Sequence, residues 1–217
     1  NFYSKIEEYL AKEKYILVYQ DVRGKFMSEG KYVNMRPYIP NKSGNETDES
    51  TDIYDTIDWL VKNVPNNNGN VGIWGISYPG FYASMSLMNS HPALKAVSPQ
   101  APIANWFTGD DMHHNGALSL MMSFNFFQHF GIEPDSLFQE WPKSIEYISP
   151  DAYTFFKKLE PIKRINEDYY KGQIPFWNEI VQHDSYDDYW QKRNILNYFD
   201  SVTVPTLIVG GWFDGEN

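Results

Sequence analysis

The sequence predicts an α/β fold built on a parallel-rich sheet, and three observations carry that prediction. Apolar runs at residues 15–19, 71–74 and 205–209 have strand length and composition, a stretch between the first two repeats apolar residues at helical spacing, and a serine sits on a glycine-flanked turn where the second run ends. Strands that alternate with helices pair in parallel, with both faces of the sheet covered.

Taken in order, Tyr15-Ile16-Leu17-Val18-Tyr19 is β-branched and aromatic and stops at polar Gln20-Asp21, the pattern of a buried central strand. Asp21-Val22-Arg23-Gly24 then reads as a loop fixed by an Arg23 ion pair. Ser50 or Thr51 caps a helix in which Ile53, Ile57, Leu60 and Val61 share one face, with Asp52 and Asp55 near its positive end. Pro65-Asn66-Asn67-Asn68-Gly69 ends it. Val71 to Trp74 is the next strand, Phe81 to Met88 a helix whose small Ala83 and Ser84 permit close packing, and Leu94 to Val97 a further strand. From about Asn105 to Ser201 the strand pattern gives way to aromatic, helical pieces, from Trp106 and Phe107 through Phe124, Phe126, Phe127 and Phe130 to Trp190, Tyr198 and Phe199, interrupted by Pro134, Pro142, Pro150, Pro161 and Pro175. The expected organisation is core sequence over 1–104, a helical cap insertion over 105–201 and core again over 202–217. Aromatics at that density mostly build core, and a cap lying over a site uses some of them to shape a pocket.

Composition narrows the partners. The 217 residues are 42% hydrophobic and 17% aromatic, enough for a sizeable core, and the formal charge of −10 argues against a nucleic-acid groove. No apolar run approaches a membrane span, and with no cysteine the chain has neither disulfide nor thiolate chemistry. In Asp110-Asp111-Met112-His113-His114 adjacent side chains diverge and the spacing fits no standard metal site, so neither metal nor cofactor is expected.

The chemistry concentrates at Gly75-Ile76-Ser77-Tyr78-Pro79-Gly80. A tight strand-to-helix turn holds a serine Oγ clear of the sheet, and the helix behind it points free backbone N–H groups at a reacting carbonyl. Ser77 is the candidate nucleophile and the Tyr78 N–H the candidate oxyanion donor; Pro79 has no N–H but suits a first helical turn. The strict Gly-x-Ser-x-Gly pattern is broken, because its second glycine arrives one residue late at Gly80. In the α/β-hydrolase order of Ser, acid, His, the acid is Asp214, at the end of the run that begins at Pro205. Three residues follow Asp214 and none is His, while His91, His113, His114, His129 and His183 all precede it. The base is therefore expected beyond Asn217, and the 217-residue chain alone is expected to be inactive.

Together with Tyr19-Gln20-Asp21-Val22-Arg23-Gly24, Ser28-Glu29-Gly30, Asp55-Thr56-Ile57-Asp58-Trp59-Leu60, His91-Pro92-Ala93-Leu94-Lys95, Gly109-Asp110-Asp111, the stretch from His183 to Trp190 and Trp212-Phe213-Asp214-Gly215-Glu216, the elbow resembles the α-amino acid ester hydrolases, grouped with cocaine esterase and the X-Pro dipeptidyl peptidases. That resemblance runs along almost the whole chain. It implies an α/β-hydrolase fold with an inserted helical cap, whose early strands and oxyanion tyrosine precede Asn1 and whose catalytic histidine and jelly roll follow Asn217. It also implies acyl transfer: Ser77 attacks an ester or β-lactam-type amide carbonyl, and an acyl-enzyme forms and is resolved by water or an amine. By the same resemblance Asp111 and Glu216 belong to an acidic cluster that holds a substrate's free α-ammonium, and the third position is the neutral Asn217. Asp111 reads equally as the cap of a following helix. A carboxylesterase and an X-Pro dipeptidyl peptidase are the rival enzymes, and a ligand-binding module without the base is the rival from another class. The resemblance implies a small-molecule partner and export to a secreted or periplasmic location, and it leaves open whether the chain forms a homo-oligomer.

Overall fold

The computed structural model describes residues 2–110, 112–133, 136–140 and 151–214. Its organising unit is a strand, a helix and a parallel strand. β1 (Val71–Ile76) runs into α3 (Tyr78–Met85), which returns to β2 (Leu94–Gln100) in a register that places Gly72 opposite Ala96 and Ile76 opposite Gln100. Preceding these are α1 (Phe2–Lys12) and α2 (Glu49–Asn63). The segment 205–209 joins β2 on the side away from β1, with parallel bridges from Val97 to Thr206 and from Gln100 to Val209. Backbone bonds from Val97 N to Pro205 O (3.0 Å), Leu207 N to Val97 O (2.9 Å) and Val209 N to Pro99 O (3.1 Å) hold it there. The apolar runs at 71 and 205 thus belong to one sheet on either side of β2.

α2 begins two or three residues earlier than its sequence suggests. The cap is Asp48, whose carboxylate accepts from Thr51 N (3.1 Å), while Ser50 donates its own hydroxyl to Asp48 (2.7 Å). Asp48 prevails because an ionised acceptor makes the stronger cap bond. Its second oxygen also takes the Ile39 N–H (2.8 Å) and the Lys42 ammonium (2.8 Å), which ties the preceding loop to the helix. Arg23 forms the expected ion pair, forking two of its guanidinium nitrogens, Nε and Nη2, onto Asp52 of α2.

The run at 15–19 departs from expectation: it carries no ladder, and Tyr15, Ile16, Val18 and Tyr19 are exposed. A strand exists only through a neighbour's backbone, and none of the described residues pairs with this run in a ladder. Covering of the sheet is also uneven, since α3 packs on β1 and β2 while Leu207, Ile208 and Val209 stay exposed.

Beyond β2 the chain is largely helical. A small hairpin, β3 (His113–His114) with β4 (Ala117–Leu118), precedes α4 (Leu120–Phe130), and α5 (Ala152–Leu159), α6 (Pro175–Gln182) and α7 (Asp188–Arg193) follow. Pro175 opens α6 rather than breaking a helix, as its fixed φ and missing N–H favour, and Pro161 comes just after α5 ends. Pro134, Pro142 and Pro150 lie outside the described residues. One apolar cluster joins Tyr78, Phe81 and Met85 of α3 to Trp106, Phe124, Phe127, Phe176, Trp177 and Trp190. Burying one such ring stabilises by about 1.5–3 kcal/mol, so the helical region and α3 hold each other through aromatic packing. A smaller cluster of Ile57, Ala83, Leu94 and Val97 seats α2 against the other flank of α3.

Candidate active site

Ser77 follows β1 as the cap of α3 in a backbone conformation, φ 61° and ψ −123°, that non-glycine residues avoid. Such strain costs about 1–3 kcal/mol and persists only where the surroundings impose it. The Ser77 N–H donates to Gln100 O of β2 (2.9 Å), and the Ser77 carbonyl accepts from Phe81 N (3.1 Å) as the first turn of α3 closes. Glycine is required on both sides. A Cβ on Gly75 would lie 2.3 Å from Pro79 O, and one on Gly80 would lie 2.7 Å from Gln100 O. The late glycine of the broken motif is therefore what lets α3 start against the end of β2. Pro79 occupies the first turn, where no intrahelical N–H bond is needed, and the Tyr78 N–H at the helix start has no carbonyl of its own helix to pair with.

Tyr78 is fixed at its far end as well. Its side chain is 3% exposed, near-parallel to Phe126 and Phe130 and edge-on to Trp106. The phenol oxygen accepts the Met35 N–H (2.8 Å) and lies 3.0 Å from the Tyr32 hydroxyl, which is 2.9 Å from Asn34 Oδ1. Burial pushes the Tyr78 phenol up to about 12 against the opposing bonds from Tyr32 and Met35, and pushes Tyr32 well above its ordinary value, so both hydroxyls keep their protons at neutral pH. Lys25 stands over the Tyr32 ring, 3.7 Å from its centroid, and donates to Phe130 O (2.8 Å) and Ile132 O (2.6 Å) at the end of α4. Burial lowers this ammonium to about 8, and the nearby Glu133 offsets only part of that.

Sequence reasoning passed over Tyr32, Asn34 and Lys25, and the single signal available was a run of hydrogen-bonding residues in a loop. Behind α3 sits Glu49, raised to about 7 by burial although Arg36 opposes the shift. Arg36 Nε is 3.4 Å from the Glu49 carboxylate but not aligned for a hydrogen bond, so desolvation outweighs the pairing.

The acid candidate stands at the same edge of the sheet. All three paired segments run parallel, so Ser77 after β1 and Asp214 after 205–209 both lie at the C-terminal edge, with β2 between their segments. Open α/β sheets place their ligands at this edge. The Asp214 N–H donates to Gly211 O (3.0 Å) in a tight turn, and the neighbouring Trp212 and Phe213 are 96% and 104% exposed. Asp111, Glu216 and Asn217 lie outside the described residues. Among the described residues the chain from Met112 onward forms the β3–β4 hairpin, and helix begins only at Leu120. Asp110 is buried, its N–H donating to His113 O (3.0 Å). His113 packs between Phe107 and Trp190 with its pKa lowered by burial, so it is part of the aromatic core. Among the described residues no group of three His, Cys, Asp or Glu side chains is placed to hold a metal.

Known proteins share this fold. Cocaine esterase from Rhodococcus sp. (strain MB1 Bresler) is 24% identical over 209 residues, which is 94% of this chain and 34% of the esterase. An α-amino acid ester hydrolase structure superposes with a TM-score of 0.83 at 35% identity, covering 94% of this chain and 33% of that one. An aminopeptidase from the marine sediment archaeon Thaumarchaeota archaeon gives 0.81 at 38% identity, with the same coverage. The chain thus spans about a third of the length of these relatives. The parallel sheet with its helices is of the α/β-hydrolase type. The profile described as X-Pro dipeptidyl-peptidase (S15 family) matches residues 2–217, and to that family the chain belongs.

Proposed function

We propose that this chain carries the nucleophile, one oxyanion donor and the acid of a serine hydrolase that works by acyl transfer on esters or amides. The observation that carries the reading is Ser77, held at positive φ between β1 and the start of α3 with the Tyr78 N–H beside it. Ser77 Oγ attacks the carbonyl carbon and its proton passes to a histidine oriented by Asp214. The Tyr78 N–H stabilises the oxyanion, the leaving group departs with that proton, and water then releases the acyl group from Ser77. The helical region over 105–201 acts as the cap, its aromatic residues shaping the acyl pocket above α3. A fluorophosphonate probe applied to the intact gene product tests this: a covalent adduct on Ser77, lost in Ser77→Ala, supports the reading, and an adduct on another residue overturns it.

For substrate class the favoured reading is an acyl group bearing a free α-amine, such as an α-amino acid ester. Two of the similar structures are an α-amino acid ester hydrolase and an aminopeptidase. Asp111 and Glu216 are the proposed ammonium partners, with Asn217 as a neutral third position, since a desolvated carboxylate rewards an ammonium and is left unpaired without one. An amino ester is then preferred over its deaminated analogue by about 10–100-fold in kcat/KM, and Asp111→Asn or Glu216→Gln reduces that ratio. Equal values in the parent leave the carboxylesterase reading, to which the cocaine esterase likeness points.

A further inference from the structure

The strained elbow has more holding it than its own backbone bonds. The Tyr78 phenol, Tyr32 hydroxyl and Asn34 amide oxygen lie 2.9–3.4 Å apart and share two hydroxyl protons, while Met35 N–H caps the phenol oxygen at 2.8 Å. All three side chains are buried, so leaving one of these groups unpaired carries the full cost of its desolvation. The network is closed on its outer side too. Asn34 Nδ2 donates to Gly131 O (3.4 Å) at the end of α4, and Lys25 pins Tyr32 from above while binding Phe130 O and Ile132 O. Tyr78 therefore joins two devices. Its backbone N–H stands beside Ser77 at the start of α3, and its ring end is locked into a loop that is itself locked to α4.

We propose that Tyr32 is a positioning residue for this site: through the Tyr78 phenol, with Asn34 and the Met35 N–H, it holds Ser77 and the Tyr78 N–H in the geometry that an oxyanion requires. This rests on the serine-hydrolase reading of Ser77. Oxyanion donors act only when they are aimed at where charge develops, and small misplacements cost rate rather than substrate binding. Three properties of the network suit it to that role: its rings are buried, its hydroxyls stay protonated across the neutral range, and its bonds tie residues 32–35 both to Tyr78 and to the end of α4.

The experiment uses the intact gene product and its Tyr78→Phe, Tyr32→Phe and double variants, each of which removes a hydroxyl and keeps a ring. Ile57→Val, in the small cluster beneath α2, serves as a control for lost stability without a change at the elbow. The readouts are the rate of fluorophosphonate addition to Ser77, kcat and KM for an activated ester, and the thermal midpoint. Tyr78→Phe is expected to slow addition and kcat by about 10–100-fold with KM within about twofold, and Tyr32→Phe by about 5–10-fold. The double variant should be no slower than Tyr78→Phe, because both act through one network. Parent rates in both single variants, or slowing that Ile57→Val reproduces at the same loss of thermal midpoint, would overturn the proposal while leaving Ser77 as the nucleophile. A parent in which Ser77 takes no adduct would overturn the serine-hydrolase reading and the proposal with it.

Discussion

The segment ending at Ser77 and the segment ending at Asp214 run parallel on either side of β2, and the surroundings that hold them differ. Around Ser77 the chain is overdetermined: β2 takes its N–H, α3 its carbonyl, two glycines admit the close approach, and the Tyr78 ring is buried to 3% exposure. Around Asp214 the backbone turn is formed, yet Leu207, Ile208, Trp212 and Phe213 expose most of their apolar surface. The difference teaches that backbone pairing suffices to aim a strand end, whereas a strained, preorganised group needs side-chain packing from several elements at once.

The largest expected effect tests whether the two candidates act as a unit. In the intact gene product Ser77→Ala should lower kcat for an activated ester by about 10⁴–10⁶-fold and abolish the covalent adduct. Asp214→Asn should lower kcat by about 10³–10⁴-fold and leave both the adduct site and the thermal midpoint in place, because its cost falls on the base and not on packing. A loss of folding in Asp214→Asn would break the contrast between the two strand ends.

Next in size is a stability effect on the well-held side. Asp48→Ala leaves the Ile39 N–H and the Lys42 ammonium without their partner and removes the cap of α2. Burial opposes ionisation of Asp48, but Lys42, the Ile39 N–H and Ser50 outweigh it and hold the carboxyl below its usual range. Urea unfolding should show a loss of about 3–4 kcal/mol. Unchanged stability would mean that the loop at 39–42 is held some other way.

The pH dependence sharpens the comparison further. With Glu49 raised from 4.5 to about 7, the folded chain keeps a proton that the unfolded chain has already lost. Stability therefore falls as pH rises from about 4.5 to 7 and is flat above that; the linkage amounts to at most roughly 3 kcal/mol. Glu49→Gln should flatten that slope, with a net gain near pH 8 limited to about 1–2 kcal/mol, because the buried ionised carboxylate is gone but Arg36 loses its counter-charge. A slope of unchanged size in Glu49→Gln would place the titrating group elsewhere. The smallest effect is Ile57→Val, about 0.5–1.5 kcal/mol of stability with kcat unaltered, read by the same urea titration.

Much of the site was legible because its chemistry is contiguous. Gly75 to Gly80 carries the turn, the candidate nucleophile and the helix start within a few residues, and chain order alone pointed to Asp214 as the candidate acid. The cap of α2 was misplaced by two or three positions, since Asp48, Ser50 and Thr51 are all cap-forming residues and the ionised acceptor of Asp48 makes the strongest cap bond. The run at 15–19 read as a strand from composition, but a strand is a relation between two backbones, and propensity supplies one of them. Asp111, Glu216 and Asn217 stand on resemblance alone, outside the described residues.

By itself the sequence determined the local devices: which residues turn sharply, which side chain stands on the turn, and which runs alternate as strand and helix. These follow from short-range sterics and hydrogen bonding, which act between residues adjacent in the chain. Only the tertiary structure decided that the Tyr78 phenol meets Tyr32 and Asn34, that Lys25 closes over them, and that Glu49 holds its proton near neutral pH. Desolvation and long-range hydrogen bonds depend on what packs around a group, and residues 46 positions apart become neighbours only when the whole chain has folded.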